Sequence, residues 1–187
     1  MFQLWQYWQG ALSDEHIDAI IEQCEKYPTE IAKMGPTGDS KNEEYRSSEI
    51  RWIEQHDPES QFINGMIWNY ASEANRNAFN FDISLVREIQ YTKYEAVKKG
   101  HYNWHIDTFW ANPSMYDRKL SIVIQLTDPS EYEGGDFEFD AQYPQPVGLR
   151  DKGSVLVFPS FLAHRVTPLT AGTRRSLVSW IEGPKFR

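Results

Sequence analysis

The 187-residue chain predicts an α+β fold, a β-sandwich or barrel buttressed on one side by helices. Three observations carry this. Apolar residues recur at helical spacing in two early segments, the hydrophobic period changes to two from about Val86, and Gly- and Pro-containing turns punctuate the second half. No internal repeat or low-complexity tract interrupts the order. A single domain over 1–187 is expected, with helical support at about 13–77 and the barrel at about 86–187.

The elements follow in order. Ser13 is an N-cap, Asp14 and Glu15 suit the positive end of a helix dipole, and Ile17, Ile20, Ile21 and Cys24 share one helical face. The polar, Gly-containing stretch Gly35 to Glu44 reads either as a solvated connector or as a lid over a site. Asp57 before Pro58 signals a second helix start, followed by an apolar stripe of Phe62, Ile63, Met66, Ile67, Tyr70, Ala71 and Ala74. Further on, Leu120, Ile122, Ile124 and Leu126 alternate with Ser121, Val123, Gln125 and Thr127, and Val155 to Phe158 is a short buried run. Gly134-Gly135, Pro144-Gln145-Pro146 and Gly172 mark turns.

Composition narrows the function classes. Seven Trp, ten Tyr and ten Phe make the chain rich in aromatics, and a net charge of −8 argues against an extended nucleic-acid footprint. The lone Cys24 forms no internal disulfide. The start, Met1 to Gln6, has no basic n-region or long apolar run, and no stretch suits a membrane span, so a cytoplasmic protein is the expectation.

The chemistry is concentrated in a split set of ligands. His105 and Asp107 stand two apart, so a strand would present an imidazole and a carboxylate to one point, and His164 can join them from a distant strand. Two histidines and one carboxylate form a face that leaves coordination positions open on Fe(II). Strict alternation places Arg174, Ser176, Val178 and Trp180 on one face of the final strand, with Arg175, Leu177, Ser179 and Ile181 on the other. An inward Arg beside an inward Ser calls for an anionic partner, and a ligand carboxylate satisfies both. Gln90, Thr92 and Tyr94 share a face of an earlier strand, so a phenol can reach the same carboxylate. His16, His56 and His101 have no partner at ligand spacing and read as surface or structural residues.

These residues fall into an ordered series: Tyr94, Gly100, Tyr102, His105 and Asp107; Glu133-Gly134-Gly135-Asp136; Gly153-Ser154; His164-Arg165-Val166-Thr167-Pro168; and Gly172-Thr173-Arg174. The series, over roughly 46–187, resembles the Fe(II)- and 2-oxoglutarate-dependent dioxygenases, most closely the prolyl 4-hydroxylase type. The resemblance implies a double-stranded β-helix, a jelly-roll barrel holding iron at its open end. It implies His105, Asp107 and His164 as iron ligands, and Arg174, assisted by Ser176 and Tyr94, as the site for the far carboxylate of 2-oxoglutarate. The spacing from Tyr94 to His105 departs slightly from the family pattern, so Tyr102 is the alternative phenol. O2 as co-substrate and L-ascorbate as reductant belong to the same implication. On the substrate side, Arg46 and Ser48 resemble the Arg-x-Ser strand that borders the peptide groove, and Trp180 matches an aromatic position near the substrate. The plain alternatives are a surface charge for Arg46 and barrel core for Trp180.

The implied reaction is hydroxylation of an unactivated C–H bond with release of succinate and CO2, and the carboxylate of Asp107 favours hydroxylation over halogenation. A prolyl residue in a peptide or protein is the leading substrate, with a free amino acid or other small molecule as the alternative. A catalytically silent jelly-roll binding module and a zinc protein using the same ligands are the rival classes. Both leave an inward Arg174 and Ser176 without a purpose.

Overall fold

A computed structural model of the chain describes residues 3–32, 44–111 and 113–186. The stretch 35–44, expected to be a connector or lid, lies outside the described residues except for Glu44. In chain order the elements are β1 (Gln6–Trp8), α1 (Asp14–Glu25), β2 (Glu30–Ile31), β3 (Arg46–Ser47), β4 (Glu49–Ile53), α2 (Gln61–Ala74), β5 (Leu85–Glu95), β6 (His101–His105) and β7 (Tyr116–Gln125). There follow β8 (Tyr132–Gly134), β9 (Phe137–Phe139), β10 (Val155–Pro159), β11 (His164–Val166) and β12 (Leu169–Pro184).

The strands form two antiparallel sheets. The larger, of eight strands, runs β1-β10-β7-β12-β5-β4-β2, with β8 paired to β12 off that path; the smaller runs β3-β6-β11-β9. Both helices cover one face of the larger sheet. The Ser13 side chain accepts from the His16 N–H at the start of α1, which buries Ile17, Ile20 and Cys24 as its spacing requires. Asp57 caps a short 3-10 turn, Pro58–Ser60, that leads into α2. Ile63, Ile67, Ala71 and Ala74 form the buried row of α2, and Met66 and Tyr70 flank it half-buried. Phe62 does not join the expected stripe; it stands one position off that row in the first turn and is exposed. Each buried isoleucine here stabilises by about 1.5–3 kcal/mol relative to an exposed one.

Alternation in the central strands separates two environments. From β7 and β12, Leu120, Ile122, Ile124, Leu177 and Ile181 pack beneath the helices. Their neighbours Val123, Arg174, Ser176, Val178 and Trp180 face a cavity shared with the smaller sheet. Three further expectations are corrected. Three strands, β2 to β4, fall within 13–77 and extend both sheets, so the barrel recruits chain expected to be helical support. Gly172 lies within β12 rather than in a turn: its φ of +72° bends the strand where pairing passes from β8 to β5. Asp107 falls just beyond the end of β6, in a bend. Among the described residues no helix is long and apolar enough to cross a membrane.

Candidate metal centre

His105 ends β6 and His164 begins β11, and the two are register partners, so the ladder between these strands places the imidazoles side by side. Their ring centroids are 4.2 Å apart. The bend after β6 brings in Asp107, anchored by its N–H to the Ser160 carbonyl at 2.8 Å. One ligand atom from each of His105, Asp107 and His164 lies within 4.8 Å of the others. The i, i+2 spacing thus delivers both groups to one point, although a bend and not a strand supplies the second.

The hydrogen bonds around the three groups fix their state. His105 Nδ1 sits 2.7 Å from the Asn103 carbonyl, and His164 Nδ1 sits 2.8 Å from the Leu162 carbonyl. A carbonyl only accepts, so both Nδ1 atoms carry a proton and both Nε2 atoms are turned inward. Those Nε2 atoms face the Asp107 oxygens at 3.7 and 3.5 Å. Burial, with a smaller contribution from His164, pushes His105 down to about 3, so near neutral pH its contact with Asp107 is no ion pair. Burial alone would raise the Asp107 carboxyl, but His164, His105, Arg118 and the Ser121 hydroxyl together hold it below the usual carboxylate range. Two Nε2 atoms and a carboxylate oxygen thus converge on one point that a cation can occupy. This donor set fits a divalent metal of the Fe(II) or Zn(II) kind.

Neighbouring side chains hold the ligands in place. Ser121 Oγ donates to Asp107 Oδ2 at 2.6 Å and meets Ser160 Oγ at 2.9 Å. Tyr102 stacks on His105 with centroids 3.5 Å apart, while Phe137 and Phe158 enclose the His164 ring. Such contacts set ring orientation and keep the surroundings apolar.

The triad lines a cavity of about 670 Å³ between the sheets, which also takes in Arg46, Gln90, Thr92, Tyr94, Tyr102, Arg174, Ser176 and Trp180. Arg174 and Ser176 are each 1% exposed, and neither Nη1 nor Nη2 of Arg174 has a protein acceptor among the described residues. A buried guanidinium without an acceptor is costly, and an acid group entering the cavity removes that cost. Tyr94 is the register partner of Arg174, whose Cζ lies 5.5 Å from the phenol ring centroid. Tyr102 instead walls the metal side.

The substrate-side residues are placed unequally. Arg46 lines the cavity, stacked over Tyr102 at 4.4 Å and donating to Ser48 Oγ and to Gln90 Oε1. Ser48 is buried behind it and does not itself line the cavity. Trp180 does, with Arg118 stacked 4.0 Å above its ring and Trp52 at 6.2 Å. Sequence reasoning missed Ser121 and Arg118 as supporting residues, and set Gln90 on the Tyr94 face without giving it a role. No signal singled out Ser121, because a polar residue in an alternating strand whose other face lies under helices reads as solvent-facing.

Comparison with known proteins agrees with this geometry. A PKHD-type hydroxylase of Synechococcus sp. (strain CC9311) is 40% identical over 86 residues, covering 46% of this chain and 38% of the relative. A PKHD-type hydroxylase of Nitrosomonas europaea is 28% identical over 137 residues, covering 70% and 59% respectively. The chain thus spans about half the length of the curated relatives it matches. Among solved structures, a Pseudomonas putida prolyl-4-hydroxylase superposes with a TM-score of 0.73 at 19% identity, covering 97% of this chain and 93% of that one. A Trichoplax adhaerens prolyl hydroxylase, solved with a peptide fragment of a hypoxia inducible factor oxygen degradation domain, gives 0.73 at 16% identity, covering 95% and 82%. These likenesses establish the double-stranded β-helix fold. The model of the 2OG-Fe(II) oxygenase superfamily matches residues 89–182, from β5 to near the end of β12, a stretch that includes all three converging ligands and Arg174, and the chain belongs to that superfamily.

Proposed function

We propose that this chain is a 2-oxoglutarate-dependent hydroxylase in which His105, Asp107 and His164 hold Fe(II), and Arg174, Ser176 and Tyr94 bind the far carboxylate of 2-oxoglutarate. The observation that carries the reading is the pairing of a converging two-histidine, one-carboxylate set with a buried, acceptor-free guanidinium in one cavity. Iron and keto acid bound there supply an oxidant made from O2, with release of succinate and CO2. The chain's own residues bind, orient and shield. Ser121 aims the Asp107 carboxylate, the Asn103 and Leu162 carbonyls orient the two imidazoles through Nδ1, and Arg174 would anchor the far end of the keto acid. Phe137 and Phe158 keep water from one side. Of the two phenols, Tyr94 is favoured for the carboxylate by its position opposite Arg174, since Tyr102 is engaged with His105. L-Ascorbate is proposed as the reductant that keeps the iron ferrous.

The proposed substrate is a prolyl residue of a peptide or protein. Arg46, pinned by Ser48 and Gln90, and the Trp52–Trp180 pair border the cavity with the polar and flat apolar surfaces that such a residue needs. The solved neighbours named as prolyl hydroxylases support the same choice. A free amino acid is the second reading; Arg118, the other guanidinium of the cavity, is already paired with Glu88.

Iron-dependent succinate formation tests the assignment. Asp107→Ala and His164→Ala should abolish it. Arg174→Ala should raise the 2-oxoglutarate requirement about 30-fold or more, the cost of removing one partner of a buried charge pair. An unchanged requirement would move the anchoring role away from Arg174. Zinc in place of iron should bind yet yield no succinate; equal yield would contradict an iron-based oxidation.

A further inference from the structure

Arg174 stands between two chambers. Behind it lies a second cavity of about 400 Å³, lined by Gln125, Tyr132, Pro146, Leu149 and Asp151 among others. Arg174 and Phe137 line both chambers. Two features bear on whether the guanidinium is a fixed wall. Its Nη atoms have no protein acceptor among the described residues, whereas nearby Arg150 donates to the Tyr132 and Gly134 carbonyls and to Asp136. And Gln125, only 2% exposed, lines the rear cavity with an unpartnered Oε1. Gln125 is the register partner of Ser176, which shares the Arg174 face, so a buried acceptor stands ready for the guanidinium on its far side.

We propose that the rear cavity is an extension of the keto-acid site: Arg174 withdraws toward Gln125, and the protein binds keto diacids one methylene longer than 2-oxoglutarate. This rests on the assignment of Arg174 to the far carboxylate. Withdrawal breaks no protein hydrogen bond at the front and gains one at the rear, so the longer acid keeps its guanidinium contact. Against a fixed guanidinium the extra methylene has nowhere to go.

The test is titration calorimetry of zinc-loaded protein with 2-oxoglutarate and 2-oxoadipate, which reads binding without turnover. Wild type should bind 2-oxoadipate within about tenfold of 2-oxoglutarate, where a rigid pocket would discriminate by about a hundredfold. Pro146→Trp, filling the rear cavity from its rim, should weaken 2-oxoadipate about tenfold while leaving 2-oxoglutarate within about twofold. Gln125→Leu, which removes the rear acceptor, should shift the ratio in the same direction and serves if Pro146→Trp fails to fold. If wild type binds 2-oxoglutarate but 2-oxoadipate about a hundredfold more weakly, the extension is wrong and the Arg174 assignment survives. An unchanged ratio in the folded variants likewise removes the rear cavity from the account. If wild type binds neither acid, the Arg174 assignment fails, and the extension with it.

Discussion

The Asp107 carboxylate depends on a serine. Ser121 donates to the oxygen that faces His164 and is itself held by Ser160, so one hydroxyl pair sets the angle of the ligand. Ser121→Ala should weaken metal binding about 10–100-fold in a zinc titration, the usual cost of losing such support; unaltered affinity would leave the backbone bond to Ser160 as the sole orienting contact. A second residue-scale consequence concerns Glu95, which Lys93 and Lys98 hold down to about 2 from 4.5. A depressed carboxyl stabilises the fold above its ordinary range and loses that contribution as pH falls from about 4.5 toward 2. Urea unfolding of Glu95→Gln should therefore differ from wild type at neutral pH and converge with it near pH 2, by about 1 kcal/mol or less for so exposed a pair; a constant difference at every pH would refute the linkage. At this scale the sequence was most legible where chemistry is rare. His105, Asp107, His164 and Arg174 stand out by type, order and spacing. Ser121 and Gln125 do not, because a polar residue in an alternating strand reads as solvent-facing until the sheet is known to be covered on both sides.

Among the elements, β12 bears the most. It joins β8, β5 and β7, and carries Arg174, Ser176 and Trp180 to the cavity while Leu177 and Ile181 pack under the helices. Its change of partner depends on Gly172, where φ is +72° and a Cβ would meet the Glu131 carbonyl oxygen at 1.9 Å. Gly172→Ala should cost about 2–4 kcal/mol in denaturant unfolding and weaken keto-acid binding, since Arg174 lies two residues on. A neutral substitution would mean that the bend is not required. The long strands and both helices announce themselves through periodicity. The short strands β1 and β2 do not, since three and two residues are too few to show alternation. They exist because neighbouring strand edges offer them hydrogen bonds, which is tertiary information. Phe62 shows the converse: an apolar residue one position off the buried row points outward although its neighbour Ile63 is buried.

The whole molecule is a layered object: helices on one face of the larger sheet, and the smaller sheet across the cavity from the other. The two-layer part followed from the order of helical and alternating segments. The ring of ligands required the register of β6 against β11, which no sequence pattern states. The two histidines and Arg174 come from separate strands, so a metal and a keto acid bound as proposed would tie both sheets to one point, and each ligand should raise thermal stability in the presence of the other. The most direct measurement is an anaerobic crystal structure with Mn(II) and 2-oxoglutarate, using the anomalous signal to locate the ion. Manganese should be bound by His105 Nε2, Asp107 and His164 Nε2, with the far carboxylate of the keto acid on Arg174. An ion bound elsewhere, or an Arg174 guanidinium turned from the keto acid, would contradict it.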